Sequence, residues 1–544
     1  MKKHLLMFVA LAFTFVLTGC GNSVVPEKYS ALLSDKSGKY VKLGFYGMPD
    51  QINPIKAPEF SHDKMLSNLV FASPLRKLEN GEYAPYLFEN FETSIDGEQV
   101  VLKATWRQGL KWHDGKAFEP ADFDFSISQM KLPENNSPYS VSANGIVSMT
   151  NTDNKFEIRF AENSVKYMDM LCAGLLPAHI LDENNLASGT KAVEIIKKYW
   201  EKPIGLGPYR IVDNTKSRYF ELEPVADYFD GKGASRPKLV IVCSHELQQT
   251  ISDFREGVFD WIDIPSLVGE QLQNLGIENV VYNHYPNPAV MAWVFNTKNE
   301  KLQDVRIRKA LNLILDRGCA KQYMGGESIE FFDNLLPVDS KDKNQNAMEE
   351  GLKLLTEAGV VDSNNDGIRE YKGSDFRLSI LINEDNMTRR LIAEKMIENL
   401  KKFGVEAVIE TVNWHDFMNN RLKTENFDTA LLSYHIADDY SFKSLFYTKN
   451  ADNADSLNFT GISDFELDAD LKALDSIIAN EDKAVIAMRV NKRISQLCPC
   501  AFLLRPVSLA LLHGNGIKTE CSKSAFWNDM YNWKLMFGNE SSKF

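Results

Sequence analysis

The stretch from Phe376 to Tyr434 most narrows what this chain can fold into. Phe376, Leu378, Ile380 and Ile382 alternate with Arg377, Ser379 and Leu381, the period-two pattern of a strand with one deeply buried face. A helical pattern follows at once. Thr388 is placed to cap it, Leu391, Ile392, Met396, Ile397, Leu400 and Phe403 fall on one face, and Gly404 supplies a left-handed stop. Val405 to Val412 reads as a second strand, Trp414 to Lys423 as a second helix, and Phe427 to Tyr434 as a third strand. Strands alternating with helices in this order predict parallel pairing and right-handed crossovers, so this region is an α/β lobe. A further helix, Val305 to Leu315 behind Asp304, turns Val305, Ala310, Leu311, Ile314 and Leu315 inward.

A chain of 544 residues is far too long for one core, so two or more lobes are expected. Its 44% apolar and 25% charged content is that of an ordinary globular protein. The net charge of −13 argues against nucleic acid as a partner and against direct adhesion to an anionic membrane face. Beyond Cys20, the cysteines at 172, 243, 319, 498, 500 and 521 are too sparse for a disulfide scaffold, although one or two bridges are compatible with their number.

The N-terminus has the three parts of an export signal. Lys2-Lys3 supplies the basic start, Leu5 to Leu17 the apolar run, and Gly19 a small residue before Cys20. The run is shorter than the roughly 20 residues that a spanning helix needs. Residues 1–19 are therefore read as a lipoprotein signal peptide and Cys20 as the lipidated first residue of the mature chain. Residues 20–39, with Gly21-Asn22-Ser23, Pro26 and Ser34-Asp35-Lys36-Ser37-Gly38, read as a flexible tether. The expected location is the outer face of the cell membrane, or the periplasm in a Gram-negative cell.

Catalytic motifs are mostly missing. No Gly-x-Ser-x-Gly elbow occurs, and His245-Glu246-Leu247-Gln248-Gln249 lacks the second histidine of a zinc-protease helix. Trp112-His113-Asp114-Gly115-Lys116 lacks the upstream glycine of a phosphate loop and reads as a turn. Cys498-Pro499-Cys500 has no second thiol pair at metal spacing, so core packing or a disulfide is its default. Asp362, Asn364 and Asp366, followed by Gly367, occupy positions one, three, five and six of a calcium loop, but position twelve is Gly373 instead of a bidentate glutamate. The alternative there is a plain Asn-Asp-Gly turn. No catalytic residue and no cofactor is expected.

Several blocks, in order, carry a resemblance. They are Tyr83-Ala84-Pro85-Tyr86-Leu87, Trp106-Arg107-Gln108-Gly109-Leu110-Lys111-Trp112-His113-Asp114-Gly115, Leu176-Pro177-Ala178-His179, Gly205-Leu206-Gly207-Pro208-Tyr209, Phe254-Arg255-Glu256-Gly257 and Phe295-Asn296-Thr297-Lys298. Together they resemble the family 5 extracellular solute-binding proteins of peptide and nickel ABC importers. The resemblance implies a two-lobed α/β clamp of the periplasmic-binding-protein kind with an extra inserted subdomain. Lobe I would comprise 40–60, 200–290 and 501–544, with the insertion at 61–199, and lobe II would comprise 291–500. It also implies a monomer that closes on its ligand, makes no covalent bond, and works with ABC permease and ATPase subunits.

Ligands of open parallel sheets sit beyond the carboxyl ends of the strands, here the loops after Ile382 and Tyr434. The resemblance to the oligopeptide branch implies that Trp414 lines the cleft, that Asp438 receives a peptide's amino terminus, and that Tyr139 lies in an opposing cleft segment. His435 stands where a tryptophan is common, and Asp439-Tyr440-Ser441 replaces the usual Asp-Pro, which makes Asp439 a second candidate and leaves peptide length open. Glu59 and Glu384 are further candidates. A nickel chelate or another small solute is the alternative ligand; a surface hydrolase or a ligand sensor without a permease is the alternative class. The anchor is tested by fractionation: the intact protein should sediment with membranes, whereas Cys20→Ala should be shed or misprocessed, and identical soluble behaviour of both would refute the reading.

Overall fold

The structure, a computed structural model, describes residues 26–182, 198–265, 280–318, 347–435, 442–448 and 456–513, with short breaks inside these ranges, and the strand pair Ile517–Lys518 with Lys534–Leu535. The chain opens its main sheet with β1 (Tyr40–Tyr46) and then builds a four-stranded antiparallel sheet from β2 (Phe88–Asp96), β3 (Gln99–Trp106), β4 (Ile146–Thr152) and β5 (Lys155–Phe160). It returns to the first sheet with β6 (Tyr209–Thr215), β7 (Tyr219–Pro224), β8 (Lys238–Ser244), β9 (Trp261–Pro265) and β10 (Val280–Pro286). A separate five-stranded sheet takes β11 (Ala289–Phe295), β12 (Arg377–Asn383), β13 (Glu406–Val412), β14 (Thr429–His435) and β15 (Cys500–Leu504). Finally β16 (Val507–His513) rejoins the first sheet, whose order is β10-β16-β9-β1-β8-β7-β6.

The predicted βαβαβ unit is present. β12 lies between β13 and β14 and pairs parallel with both, so the second sheet reads β13-β12-β14-β11-β15. One detail differs from the alternation pattern. Leu381, on the nominally polar side of β12, is fully buried in a second apolar layer with Phe417, Ala430 and Leu432, while Leu378, Ile380 and Ile382 enter the layer under the helix Met387–Lys401. Helices on both faces of a parallel sheet bury both sides of its strands, so the polar alternation fades.

Helix ends follow local chemistry. Asp304 caps the helix Val305–Ile314 by accepting the Arg306 N–H at 2.8 Å, and Gly404 adopts φ +75° after the helix Met387–Lys401. The cap of that second helix is Asn386, which accepts the Arg389 N–H at 2.9 Å, and not Thr388. The segment expected as a helix from Trp414 is π-helical over Asp416–Leu422.

Part of the expected tether is instead docked. Residues Glu27–Ser34 form a helix because Tyr29 is fully buried against Tyr219, with its hydroxyl donating to Asp213 Oδ2 at 2.7 Å, and Lys28 pairs with Glu221 at 2.7 Å. Residues 1–25, including Cys20, lie outside the described residues. The four-stranded sheet shares one continuous core with the first sheet, in which Val41, Leu43 and Phe45 join Phe88, Trp106 and Phe156.

The glycine-rich block is explained by packing. A Cβ on Gly205 would stand 1.9 Å from the Val70 carbonyl oxygen, and one on Gly207 2.4 Å from the Val70 carbonyl carbon. His113, in the expected turn, bonds the same glycine segment through both ring nitrogens. Its Nδ1 accepts the Gly205 N–H at 3.2 Å, so Nε2 carries the proton donated to the Gly207 carbonyl at 2.9 Å. Among the described cysteines, Cys243, Cys498 and Cys500 are free, and Cys498 ends the helix Lys483–Leu497 at φ +46°. Cys498-Pro499-Cys500 thus packs in the core and forms no disulfide.

Burial pulls the His113 imidazole down from 6.5 to about 4. A base whose folded-state pKa is depressed stabilises the fold fully above the unfolded value and loses that contribution as pH falls. Unfolding measured in urea should therefore lose up to about 3 kcal/mol from this residue between roughly pH 6.5 and pH 4. His113→Gln should flatten that part of the pH profile; an unchanged profile would remove His113 from the account.

Candidate functional site

Strand direction decides which edges of the two sheets can meet a ligand. In the first sheet β1, β8, β9 and β10 all end at one edge, at Tyr46, Ser244, Pro265 and Pro286, and β16 begins there with Val507 opposite Pro286. In the second sheet β12, β13, β14 and β15 end together at Asn383, Val412, His435 and Leu504, and β11 begins at that edge with Ala289 opposite His435. The chain passes between the sheets twice, from Pro286 to Ala289 and from Leu504 to Val507, so both crossings join carboxyl edge to carboxyl edge. The boundary placed at 500 falls inside the second sheet, because β15 stays paired with β11 through Leu504.

The edge of the second sheet gathers several candidates. Glu384 extends the ladder, its N–H donating to the Val412 carbonyl at 2.9 Å, and its side chain is exposed. Trp414 follows two residues after β13, is 52% exposed, and stacks on Phe417 with ring centroids 5.7 Å apart and planes 22° apart. Its indole face is available, which core packing alone would not leave. His435 ends β14 at the same edge. Asp438 and Asp439 belong to 436–441 and lie outside the described residues, as does Glu59.

Tyr139 sits elsewhere. It is 6% exposed within the first core, and Lys64 Nζ donates to its hydroxyl at 3.4 Å. Neighbouring Ser137 donates to the Ile55 carbonyl at 2.7 Å, anchoring this segment to the loop after β1. Sequence reasoning passed over Arg389, which lies in the first turn of the helix after β12 and is 7% exposed. Only its position after a carboxyl-edge strand could have singled it out.

The acidic loop is a separate feature. Asp362, Asp366 and Glu370 bring carboxylate oxygens within 4.8 Å of one another, and Glu370, at position nine, was not among the residues read from the motif. The loop's own groups already engage them: Asp362 Oδ2 accepts Gly367 N–H at 3.1 Å, Asp366 Oδ1 accepts Ile368 N–H at 2.8 Å, and Glu370 Oε2 accepts Ser363 N–H at 2.8 Å. Asn364 bonds Asp366 rather than pointing free, donating to Oδ2 at 3.0 Å. These bonds are those of an Asx-type turn, but Asp362 Oδ1 and Glu370 Oε1 are buried without a hydrogen-bond partner, so the loop's own groups satisfy its carboxylates only in part.

A second contact spans the two sheets' cores. Ser164, fully buried beside the first core, donates to Asp475 Oδ2 at 2.6 Å, and the Val165 N–H donates to the Asp475 carbonyl at 2.9 Å. Asp475 follows the helix Phe465–Leu474 of the second sheet's outer layer and pairs with Lys443 at 3.0 Å. Burial pushes the Asp475 carboxyl up, although Lys443 and Ser164 oppose the shift.

Among the described residues, no helix is long and apolar enough to cross a membrane. The sequence profile of the bacterial extracellular solute-binding proteins, family 5, matches residues 82–454. The chain is 24% identical over 525 residues to the oligopeptide-binding protein AppA of Bacillus subtilis, covering 93% of each chain. The solved structure of that AppA in complex with a nonapeptide superposes with a TM-score of 0.68 over 91% of this chain and 99% of that one, at 20% identity. NikZ from Campylobacter jejuni in complex with Ni(L-His) gives 0.69 over 91% and 99% at 22% identity. Blocks read in the sequence, a fold with paired sheets and carboxyl edges at the crossings, and a profile match over most of the chain converge: the protein belongs to family 5 of the bacterial extracellular solute-binding proteins.

Proposed function

We propose that the protein captures oligopeptides between two lobes and presents its closed form to a membrane permease driven by ATPase subunits, while Cys20 holds it to the outer face of the membrane by lipid. The observation that carries this reading is the meeting of two carboxyl edges at a pair of crossing strands. A ligand that touches both edges binds the closed form better than the open one, and that difference drives closure. Peptide is favoured over other solutes because a curated relative covered over 93% of its length is an oligopeptide-binding protein. In this reading lobe I is the first sheet with its four-stranded insertion and lobe II is the second sheet with its helices. Trp414 offers an exposed aromatic face to the ligand, His435 stands at the same strand edge, buried Tyr139 supports the opposing segment from within the first core, and Asp438 or Asp439 pairs with the peptide's amino terminus.

Saturating peptide should raise the melting temperature and reduce the radius of gyration, since it binds only the folded, closed chain. Asp438→Asn should weaken binding roughly 30-fold to several thousand-fold, the range for removing one member of a buried charge pair. A larger loss in Asp439→Asn would move the anchor by one residue. If neither substitution nor acetylation of the peptide changes affinity by more than about 1 kcal/mol, the amino-terminus anchor is wrong. Stabilisation by nickel chelates alone would overturn the peptide assignment.

Trp414→Ala should separate binding from folding. Half-exposed and stacked on one ring, it should cost about 1 kcal/mol or less in urea unfolding. Trp293→Ala, removing a fully buried ring from β11, should cost about 3 to 5 kcal/mol. Only the first should lower peptide affinity without a matching loss of stability.

A further inference from the structure

Among the described residues, the buried arginines are Arg236, Arg308 and Arg389, and two of them are fully accounted for. Arg236 pairs with Asp230 through Nη2. Arg308 donates to the carbonyls of Cys498, Leu302, Gln303 and Leu497 at 2.6 to 3.0 Å, closing the end of the helix Lys483–Leu497. Arg389 differs. Its side chain makes one hydrogen bond, from Nη1 to Asn383 Oδ1 at 2.6 Å, while Nε is buried without an acceptor. No described carboxylate pairs with it, and its guanidinium carbon lies 5.7 Å from the centre of the Phe417 ring.

Burial lowers its pKa to about 10, with no opposing acidic neighbour, yet the group remains charged at neutral pH. A buried cation held by one neutral amide is costly unless an anion joins it. The location says where that anion would come from. Asn383 is the last residue of β12, Arg389 stands in the first turn of the following helix, and Phe417 belongs to the segment after Trp414, so all of them lie at the carboxyl edge that faces the crossings.

We propose that Arg389 is a specificity-determining anchor for a carboxylate of the bound solute. Asn383 holds one arm of the guanidinium, the Phe417 ring supports it from the side, and the free Nε edge donates to the incoming carboxylate. A planar fork of N–H donors suits a carboxylate better than a single ammonium would. This inference rests on the peptide reading above. In a peptide the carboxylate is either the carboxyl terminus or an acidic side chain.

The test uses the full mature chain and a casein digest, either untreated or methyl-esterified so that every carboxylate is blocked. Retained peptides are identified by mass spectrometry, and the best retained sequence is synthesised free, carboxyl-terminally amidated, and with its acidic side chains replaced by amides. Esterification should reduce wild-type affinity by about 30-fold or more, as loss of one partner of a buried charge pair does. The synthetic set assigns the effect to the terminus or to a side chain. Arg389→Met should bind free and blocked peptides alike and melt no lower than the wild type without ligand, because it removes an uncompensated buried charge. Arg389→Lys should retain part of the preference for free carboxylates.

If the wild type retains peptides but holds free and esterified forms equally, the anchor is wrong and the peptide reading survives. If ligand-free Arg389→Met melts several degrees lower and still discriminates against esters, the guanidinium is paired within the chain and the proposal falls. If the wild type retains no peptide from either digest, this inference falls together with the reading on which it rests.

Discussion

The arrangement depends on two chain segments that leave one sheet side by side and enter the next side by side. β10 and β16 are hydrogen-bonded neighbours up to Pro286 and Val507, and β11 and β15 are neighbours from Met291 and Leu504. The crossings are therefore the interruption of one antiparallel ribbon that runs through both sheets. A ribbon resists sliding along its length, because register is fixed by the ladder on either side, but a short unpaired stretch can bend. In the proposed clamp, opening and closing about these crossings would change the separation of the two carboxyl edges most directly.

That constraint explains why helix starts matter more here than helix middles. β12 and β13 deliver the chain to the edge that meets the crossings, and each turns within a few residues into a helical segment. The turn after β12 is closed by Asn386 on the Arg389 N–H, and the segment after β13 opens with Asn413 accepting the Asp416 N–H at 2.9 Å. The opposite ends of the helices are secured by different means, as where Arg308 satisfies the terminal carbonyls of Lys483–Leu497 and Cys498 takes the left-handed conformation.

Much of this frame was legible in the sequence because it rests on local periodicity and on end signals. The alternation in 376–382, the apolar face from Ile392 to Leu400, Gly404 and Asp304 each correspond to what the structure contains. Where the reading failed, a non-local contact had won. Thr388 is as good a cap as Asn386 in isolation, but the start of the helix is set by where β12 ends. The N-terminal segment looked like a linker because Gly21-Asn22-Ser23, Pro26 and Ser34 to Gly38 flank it, and only non-local packing of Tyr29 on Tyr219, with Leu32 and Leu33 beside it, makes it an anchor. The site was less legible still. Trp414 could be placed at a strand end, whereas the lack of a described acid beside Arg389 depends on packing between distant segments, and no spacing rule encodes that.

For the proposed clamp, the bond from Ser164 to Asp475 would have a kinetic consequence. It ties the two sheets' cores together through groups that belong to the protein itself, away from the strand ends. Any contact formed only when the halves approach raises the fraction of unliganded molecules already competent to bind, and apparent affinity scales with that fraction. In the proposed clamp such a contact would have to break on opening, and it would then lengthen the residence time of every ligand by the same factor, whatever its chemistry. Selectivity would then be set at the strand ends and dwell time at this remote polar contact, which allows one to vary without altering the other.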